Sequence, residues 1–328
     1  MARKHLVVGG SGYVGRVLCL QLADQGEEVA TLNRSDGNID DRIEWIQGDI
    51  TDAGDLKRVL AGRKFDVIYH VASLPGDTGD PLQMVEVNVV GLTNMLNFAR
   101  ESGVDGFVHS SSISAYEWYP ATKFVPPEYE PVDEQHPCRP RDMYAASKRM
   151  QEILAMTFYH QYELPVSSLR LTAVVGPGGR GGGRGWREFA EKIAEGKSVQ
   201  IPHFSLEEVC HYVDSRDVAG MHIAAGAHEN ARGEIFNCCG PGETSGKDFA
   251  QAIKKHYPEI EVETGFPWSM AQGGRISFDM SKAAGLIDFL PQFTVEDSVL
   301  AIKAWIDSGG LDEDGSAEDK AYGGGVQS

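Results

Sequence analysis

The chain has 328 residues, 41% hydrophobic and 24% charged, with a formal net charge of -18 and a pI near 4.9. That length holds one large α/β unit or two lobes. The acidic balance excludes nucleic acid and anionic membrane surfaces as general partners, since both require Lys/Arg-rich faces. No stretch of about 18 apolar residues is present, so no membrane span is expected. Met1-Ala2-Arg3-Lys4-His5 leads straight into a strand with no targeting pattern, and the five cysteines (Cys19, Cys138, Cys210, Cys238, Cys239) are scattered. They read as reduced thiols in the cytoplasm.

His5–Val8 reads as a buried strand and runs into Gly9-Gly10-Ser11-Gly12-Tyr13-Val14-Gly15, after which Val14–Gln25 is helical. Glycines at that place permit a tight turn and close backbone approach to a pyrophosphate, and the next helix offers its N-terminal N–H groups. Glu28–Leu32 is a second strand, ending in Asn33-Arg34-Ser35. A carboxylate at the end of that strand would take the ribose 2′-OH of NAD. Asn33 stands there instead, and Arg34 can pair with the 2′-phosphate of NADP, so NADP is favoured over NAD. The bland reading leaves Arg34 in solvent with Asn33 on the 2′-OH. Ile43–Gln47 is a third strand, followed by Gly48-Asp49-Ile50, where Asp49 meets the adenine amino group or simply closes a turn. Helix Asp52–Ala61, strand Asp66–Val71, helix Met84–Glu101, strand Gly106–Ser110, helix Tyr144–His160 and strand Val166–Leu171 follow. This alternation predicts an α/β fold with a doubly wound parallel sheet of the Rossmann type.

After Leu171 the pattern loosens, and the run from Gly176 to Gly185 is too glycine-rich for regular structure. Trp186–Glu195 reads as a helix, and strands at Cys210–Val213 and Glu234–Cys238 are expected to return to the main sheet. Lys247–Tyr257, Ser281–Ile287 and Val295–Ile306 are helical. Residues 1–175 with 209–240 then form a dinucleotide unit, and 176–208 with 241–310 a smaller interleaved substrate lobe. The cleft lies between them, and residues 311–328 form a flexible acidic tail.

Tyr144 and Lys148 are four residues apart and share one helix face. An ammonium beside a phenol favours the phenolate and draws its pKa down from about 10. The pair suits proton exchange with an alcohol or carbonyl. Upstream, Ser110–Ser114 ends a strand at the C-terminal edge of the sheet, where such folds hold ligands; turn capping is the competing reading for any one serine.

Together these residues resemble the extended short-chain dehydrogenase/reductase family, also called the NAD-dependent epimerase/dehydratase family. The resemblance covers about residues 5 to 306. It rests on Gly9–Gly15, His70-Val71-Ala72-Ser73, Asn88-Val89-Val90-Gly91-Leu92-Thr93-Asn94, Ser110–Ser114, Tyr144–Lys148, Arg170 with Val175-Gly176-Pro177-Gly178, and Val213–Ala219. It implies Tyr144 as acid/base, with Lys148 tuning it and holding the nicotinamide ribose. It implies Ser112 as the hydroxyl on the reacting oxygen, with Ser111 and Ser114 as neighbouring alternatives, and Asn88 in support of a proton relay. The dinucleotide is expected on Gly9, Gly12, Tyr13, Val14, Gly15, Asn33, Arg34, Asp49, Ile50, Val71, Ala72 and Ser73, besides Tyr144 and Lys148. It further implies a homodimer through Met84–Glu101 and Tyr144–His160.

Departures narrow the chemistry. The family's dehydratases carry a carboxylate pair after the catalytic hydroxyl, whereas Ile113 and Ser114 stand here. Its nucleotide-sugar enzymes clamp a diphosphate with arginines; the corresponding places hold Glu208 and Ser269, and a usual Asn is Ala173. Arg180, Arg184 and Arg187 offer cations to an anionic substrate group, with the glycine loop as a lid or merely a solvated loop. Trp118, Tyr119, Trp186 and Trp268 line a pocket or belong to the core. Arg216 and Asp217 are expected to pair structurally. His70, His109 and His211 are read as packing or hydrogen-bonding residues, and no metal-ligand spacing occurs. The reading is an NAD(P)-dependent oxidoreductase acting on a hydroxyl or carbonyl of a small sugar-like metabolite. The alternative is a nucleotide-sugar 4-epimerase with retained NAD; a non-catalytic dinucleotide sensor has no use for Ser112, Tyr144 and Lys148 together.

Overall fold

Strands whose side chains are buried along their length cannot face water on either side, so they sit in a sheet covered by helices on both faces. The computed structural model describes residues 2–35, 39–76, 80–116, 127–178, 184–266, 271 and 274–313. The first half comprises β1 (Lys4–Val8), α1 (Tyr13–Asp24), β2 (Glu28–Asn33), β3 (Ile43–Gln47), α2 (Ala53–Val59) and β4 (Val67–His70). Next come α3 (Pro81–Met84), a π-helical turn (Val85–Val90), α4 (Gly91–Ser102), β5 (Gly106–Ser112) and a 3-10 turn (Ile113–Ala115). Then follow α5 (Met143–Tyr162), β6 (Val166–Leu171), β7 (Ala173–Val175), α6 (Arg184–Ala194), β8 (Val199–Gln200), β9 (Val209–Cys210) and β10 (Tyr212–Asp214). The chain continues through α7 (Ser215–Ala227), β11 (Ile235–Cys238), β12 (Thr244–Ser245), α8 (Gly246–His256) and β13 (Val262–Glu263). It closes with α9 (Ser281–Ile287), α10 (Val295–Asp307) and α11 (Gly310–Glu313).

Seven strands form one sheet in the order β11-β6-β5-β4-β1-β2-β3, every pair parallel. The order reverses between β1 and β4, where Val8 lies opposite His70. Such a switch point opens a crevice beyond the carboxyl ends of the two strands. One face carries α1 and α7, with Leu18 and Leu22 buried in the same core as Val218 and Met221. The other carries α4 and α5, through Leu92, Met95, Leu96, Ala155 and Phe158. A third core, including Phe189, Ile201, Phe249 and Ile253, draws mostly on the later part of the chain, with Ile113, Tyr116 and Val132 joining from before it. Cys238 falls in the α1/α7 core and Cys239 in the third, as opposite-facing neighbours should.

Three expectations need correction. The helix foreseen over Met84–Glu101 is α3, a π turn and α4 in succession. Gly91 restarts the α pattern where Ile50 presses against the helix: a Cβ there would sit 2.7 Å from Ile50 Cδ1. The stretch Cys210–Val213 does not return to the main sheet. β10 pairs with β7 and β9 pairs antiparallel with β12, and only β11 joins, beside β6. Chain direction explains this: β7 follows β6 after a single residue, Thr172, and carries β10 away with it. Arg216 pairs with Asp214, not Asp217, at 2.8 Å and 2.9 Å. Asp214 is the N-cap of α7, so its carboxylate turns back over the first turn to Arg216. Asp217, a turn on, accepts the backbone N–H groups of Gln292 and Phe293.

Among the described residues no helix is long and apolar enough to cross a membrane. All five cysteines are unpaired. Trp186 packs against the third core, its Nε1 donating to the Val174 carbonyl at 2.7 Å. Trp118, Tyr119, Trp268, Ser269 and residues 314–328 lie outside the described residues; residues 311–313, expected to begin the flexible tail, are instead the end of α11, with Leu311 packed on the third core.

Candidate active site

The turn after β1 is built by exclusion. Gly9 has φ +87°, and a Cβ there would lie 2.8 Å from Ala72 Cα. A Cβ on Gly10 would meet Thr31 Oγ1 at 2.0 Å, and one on Gly15 the Gly9 carbonyl oxygen at 2.2 Å. Gly12 differs, since its nearest obstacle is the Gly9 oxygen at 3.2 Å. It is the N-cap of α1 and makes no side-chain cap, so the first-turn N–H groups of Tyr13 and Val14 receive no cap from it. This is a cradle for a pyrophosphate, backed by the helix dipole. Gly12→Ala is therefore expected to keep Tm within about 2 °C while weakening dinucleotide binding at least about tenfold. Gly15→Ala should lower both, which calorimetric titration and a melting curve separate.

Around the cradle, Asn33 accepts through Oδ1 from the Ser11 backbone N–H and hydroxyl, each at 3.0 Å, and donates to Thr31 Oγ1 at 2.9 Å. Arg34 is exposed beside it. Asp49 holds Thr51 through its backbone N–H and hydroxyl, and Ile50 packs on α4 at Gly91. Both N–H groups of Val71 and Ala72 reach the Val8 carbonyl, at 3.1 Å and 2.9 Å, which sets the β4 loop against the glycine turn. Tyr13 is buried, and its hydroxyl donates to the Gly176 carbonyl at 3.0 Å, tying the turn to the Val175–Gly178 segment.

Tyr144 and Lys148 share the face of α5 turned to the sheet. Asp142 caps the helix, accepting from Ala145 N–H at 2.7 Å. Tyr144 is half-buried, and Lys148 Nζ lies 5.7 Å from its ring centroid. Lys148 is only 3% exposed and donates to the Ser110 carbonyl at 2.9 Å. Burial pulls its ammonium down to about 7, against the opposing pull of Glu152. His70 and His109 sit opposite one another across β4 and β5 and are kept neutral by burial, with the Lys148 charge acting in the same direction.

The serine cluster sorts by partner. Ser110 Oγ meets His222 Nε2 at 2.7 Å on the far side of the sheet, and Ser111 Oγ donates to Glu152 at 2.7 Å. Ser112 is the half-buried member; its Oγ accepts from Ser114 N–H and Oγ, at 3.2 Å and 2.9 Å. The 3-10 turn carrying Ser114 packs on α5. Asn88 is fully buried in the π turn. Its Oδ1 accepts from Leu74 N–H at 2.8 Å and Ser73 Oγ at 3.1 Å, and its Nδ2 donates to Ser147 Oγ at 2.9 Å. It thereby joins the β4 loop to α5. A π turn often marks a functional site, but no local residue pattern announced this one.

Of the candidate substrate cations, Arg187 is the one whose side chain is described. Arg187 donates to Glu191 at 2.8 Å and to the Leu311 carbonyl at 2.7 Å. The side chain of Arg184 and all of Arg180 lie outside the described residues. Glu208 is fully buried and accepts from the backbone N–H groups of Phe204 and Ala271. Sequence reasoning also passed over Glu152 and Arg170 as a unit; their only signal is that Glu152 continues the four-residue spacing of Tyr144 and Lys148.

Residues 5–239 match the model of the NAD dependent epimerase/dehydratase family. The chain belongs to this family. Among its relatives, a UDP-glucose 4-epimerase of Mycolicibacterium smegmatis is 28% identical over 310 residues, covering 90% of this chain and 96% of that protein. The solved structure of a Thermus thermophilus UDP-glucose 4-epimerase in complex with NAD is 25% identical, with a TM-score of 0.76 over 92% of this chain and 99% of that one. An epimerase from Methanothermobacter thermautotrophicus shares the fold with a TM-score of 0.82 at 24% identity, over 96% of this chain and 95% of that one. The family's doubly wound sheet is therefore the frame of this site.

Proposed function

We propose that this member of the epimerase/dehydratase family is an NAD(P)-dependent enzyme that oxidises or reduces a hydroxyl-bearing carbon of a sugar-like metabolite. The observation that carries the reading is the buried Lys148 one helical turn from Tyr144, beside the end of β5. The glycine cradle fits a dinucleotide, because three of its positions admit no Cβ and the fourth gives the helix N–H groups no side-chain cap. When bound, the nicotinamide supplies the hydride acceptor or donor. Tyr144 takes the proton of a hydroxyl being oxidised, or returns it to a carbonyl being reduced. Lys148 stabilises the phenolate from the same helix face. Ser112 presents a hydroxyl to the reacting oxygen and fixes its angle. Asn88, with its amide already engaged on both sides, serves by holding α5 and the β4 loop in register. Homodimer formation through Met84–Glu101 and Tyr144–His160 is part of the proposal; Val90 and Ile153 expose apolar surface there, at 41% and 51%, and a monomeric mass by light scattering would contradict it. Unpaired cysteines support a reducing, cytoplasmic setting.

Asn33 and Arg34 support NADP over NAD, since no carboxylate opposes a 2′-phosphate and a guanidinium stands beside it. Arg34→Ala should weaken NADP+ binding about tenfold and NAD+ binding less than about twofold; equal losses would remove the preference.

The second reading is a nucleotide-sugar 4-epimerase, favoured by the relatives' names. Glu208 weighs against it: a buried carboxylate stands where the resemblance puts a diphosphate-holding arginine. The deciding experiment follows nicotinamide absorbance over a panel of free sugars, ketones and UDP-sugars. Net change with a free sugar or ketone is the expected result; interconversion of two UDP-sugars without net change selects the epimerase.

A further inference from the structure

One turn beyond Lys148, Glu152 is fully buried and both its oxygens are engaged. Oε1 accepts from Arg170 Nε at 2.8 Å and from Ser111 Oγ at 2.7 Å. Oε2 accepts from Arg170 Nη2 and Arg149 Nη1, each at 2.9 Å. Arg170 is 2% exposed; its Nη1 donates to the Glu134 carbonyl at 3.2 Å, and its guanidinium lies 4.4 Å from the Tyr116 ring centroid. One carboxylate thus fastens α5, β5 and β6 at a single point. Stability alone does not call for it, because a buried ion pair repays its desolvation poorly against apolar residues of the same volume. Its location is more informative. Tyr144, Lys148 and Glu152 recur every four residues on one face of α5, and Ser111 is the residue before Ser112.

We propose that Glu152 is a positioning residue for the acid/base set: through Ser111 and Arg170 it locks the end of β5 against α5, and it sets a fixed negative charge one turn from the Lys148 ammonium. The inference rests on the reading of Tyr144 and Lys148 given above. The titratable and charged groups around Lys148 are Tyr144, Arg149 and Glu152 on its own helix, His70 on β4, His109 on β5 and Arg170 on β6. Both histidines stay neutral through burial, and Glu152 is the group that opposes the loss of the Lys148 proton. Without the carboxylate, Lys148 would titrate at lower pH.

The test uses the full chain with Glu152→Gln, Glu152→Asp and Ser111→Ala, and Tyr144→Phe as control. Lys148 titration is followed by NMR of isotope-labelled lysine Cε, assigned with Lys148→Met, and turnover with the active compound of the panel. Glu152→Gln should move the Lys148 midpoint and the alkaline limb of kcat down by about one pH unit. It should cost kcat at least about tenfold, with KM and dinucleotide Kd within about threefold. Glu152→Asp keeps the charge and should hold the midpoint near wild type while kcat falls. Ser111→Ala spares the ion pair and should lower kcat a few-fold without moving the limb. A folded Glu152→Gln with wild-type midpoint and kcat overturns the proposal. If that variant does not fold, wild-type kcat in both Ser111→Ala and Glu152→Asp overturns it. An active Tyr144→Phe sinks the acid/base reading itself, whereas an inactive Tyr144→Phe beside a normal Glu152→Gln sinks only this inference.

Discussion

Tyr144→Phe is expected to lower kcat by about a thousandfold while changing dinucleotide affinity less than about threefold. The substitution removes one oxygen and keeps the ring that Lys148 approaches, so α5 and its cap at Asp142 should stand unchanged. A positioned acid/base group contributes about 100- to 10,000-fold, and its loss appears in turnover more than in ground-state binding. Steady-state kinetics with a direct binding titration make the comparison. Turnover at the wild-type rate would leave the proton to be moved by some other group.

Lys148→Met should abolish most turnover and yet stabilise the protein. The ammonium is 3% exposed, and burial brings its pKa to about 7. Its folded pKa thus lies below its ordinary value of about 10.4. Between those two values the unfolded chain binds a proton that the folded chain does not, so this group makes stability rise with pH across that window. Below about 7 the full penalty of a buried charge is present, on the order of a few kcal/mol. Methionine fills similar space without the charge. The variant should therefore melt about 4–8 °C higher than wild type at pH 6, the gap closing toward pH 10. The same change should cost kcat about a hundredfold or more, since nothing then favours the phenolate. Melting curves at two pH values and one kinetic assay check both halves; a variant less stable than wild type at pH 6 contradicts the charge argument.

The parts of the site that the sequence made legible are those governed by local rules. Gly9, Gly12 and Gly15 follow a strand and open a helix, and steric exclusion at Gly9, Gly10 and Gly15 is what such spacing encodes. Tyr144 and Lys148 meet because helix geometry leaves no other result. What sequence could not reveal depends on contacts between distant segments. Asn88 sits in a π turn because Leu74 and Ser147 both claim its amide. Asp214 captures Arg216 because capping turns its carboxylate backward. β9 and β10 leave the main sheet because β7 and β12 offer them partners. Glu152 and Arg170 are separated by a helix end and a strand, so their pairing has no mark in either local pattern.

The most direct test of the account is a crystal structure of the protein with NADP+ bound. The account predicts the pyrophosphate on the Gly9–Gly15 turn, the Lys148 ammonium against the nicotinamide ribose, and the Tyr144 hydroxyl beside the hydride-bearing carbon of the ring. A dinucleotide held away from the β1/β4 crevice, or a nicotinamide ring beyond the reach of the Tyr144 hydroxyl, would contradict it.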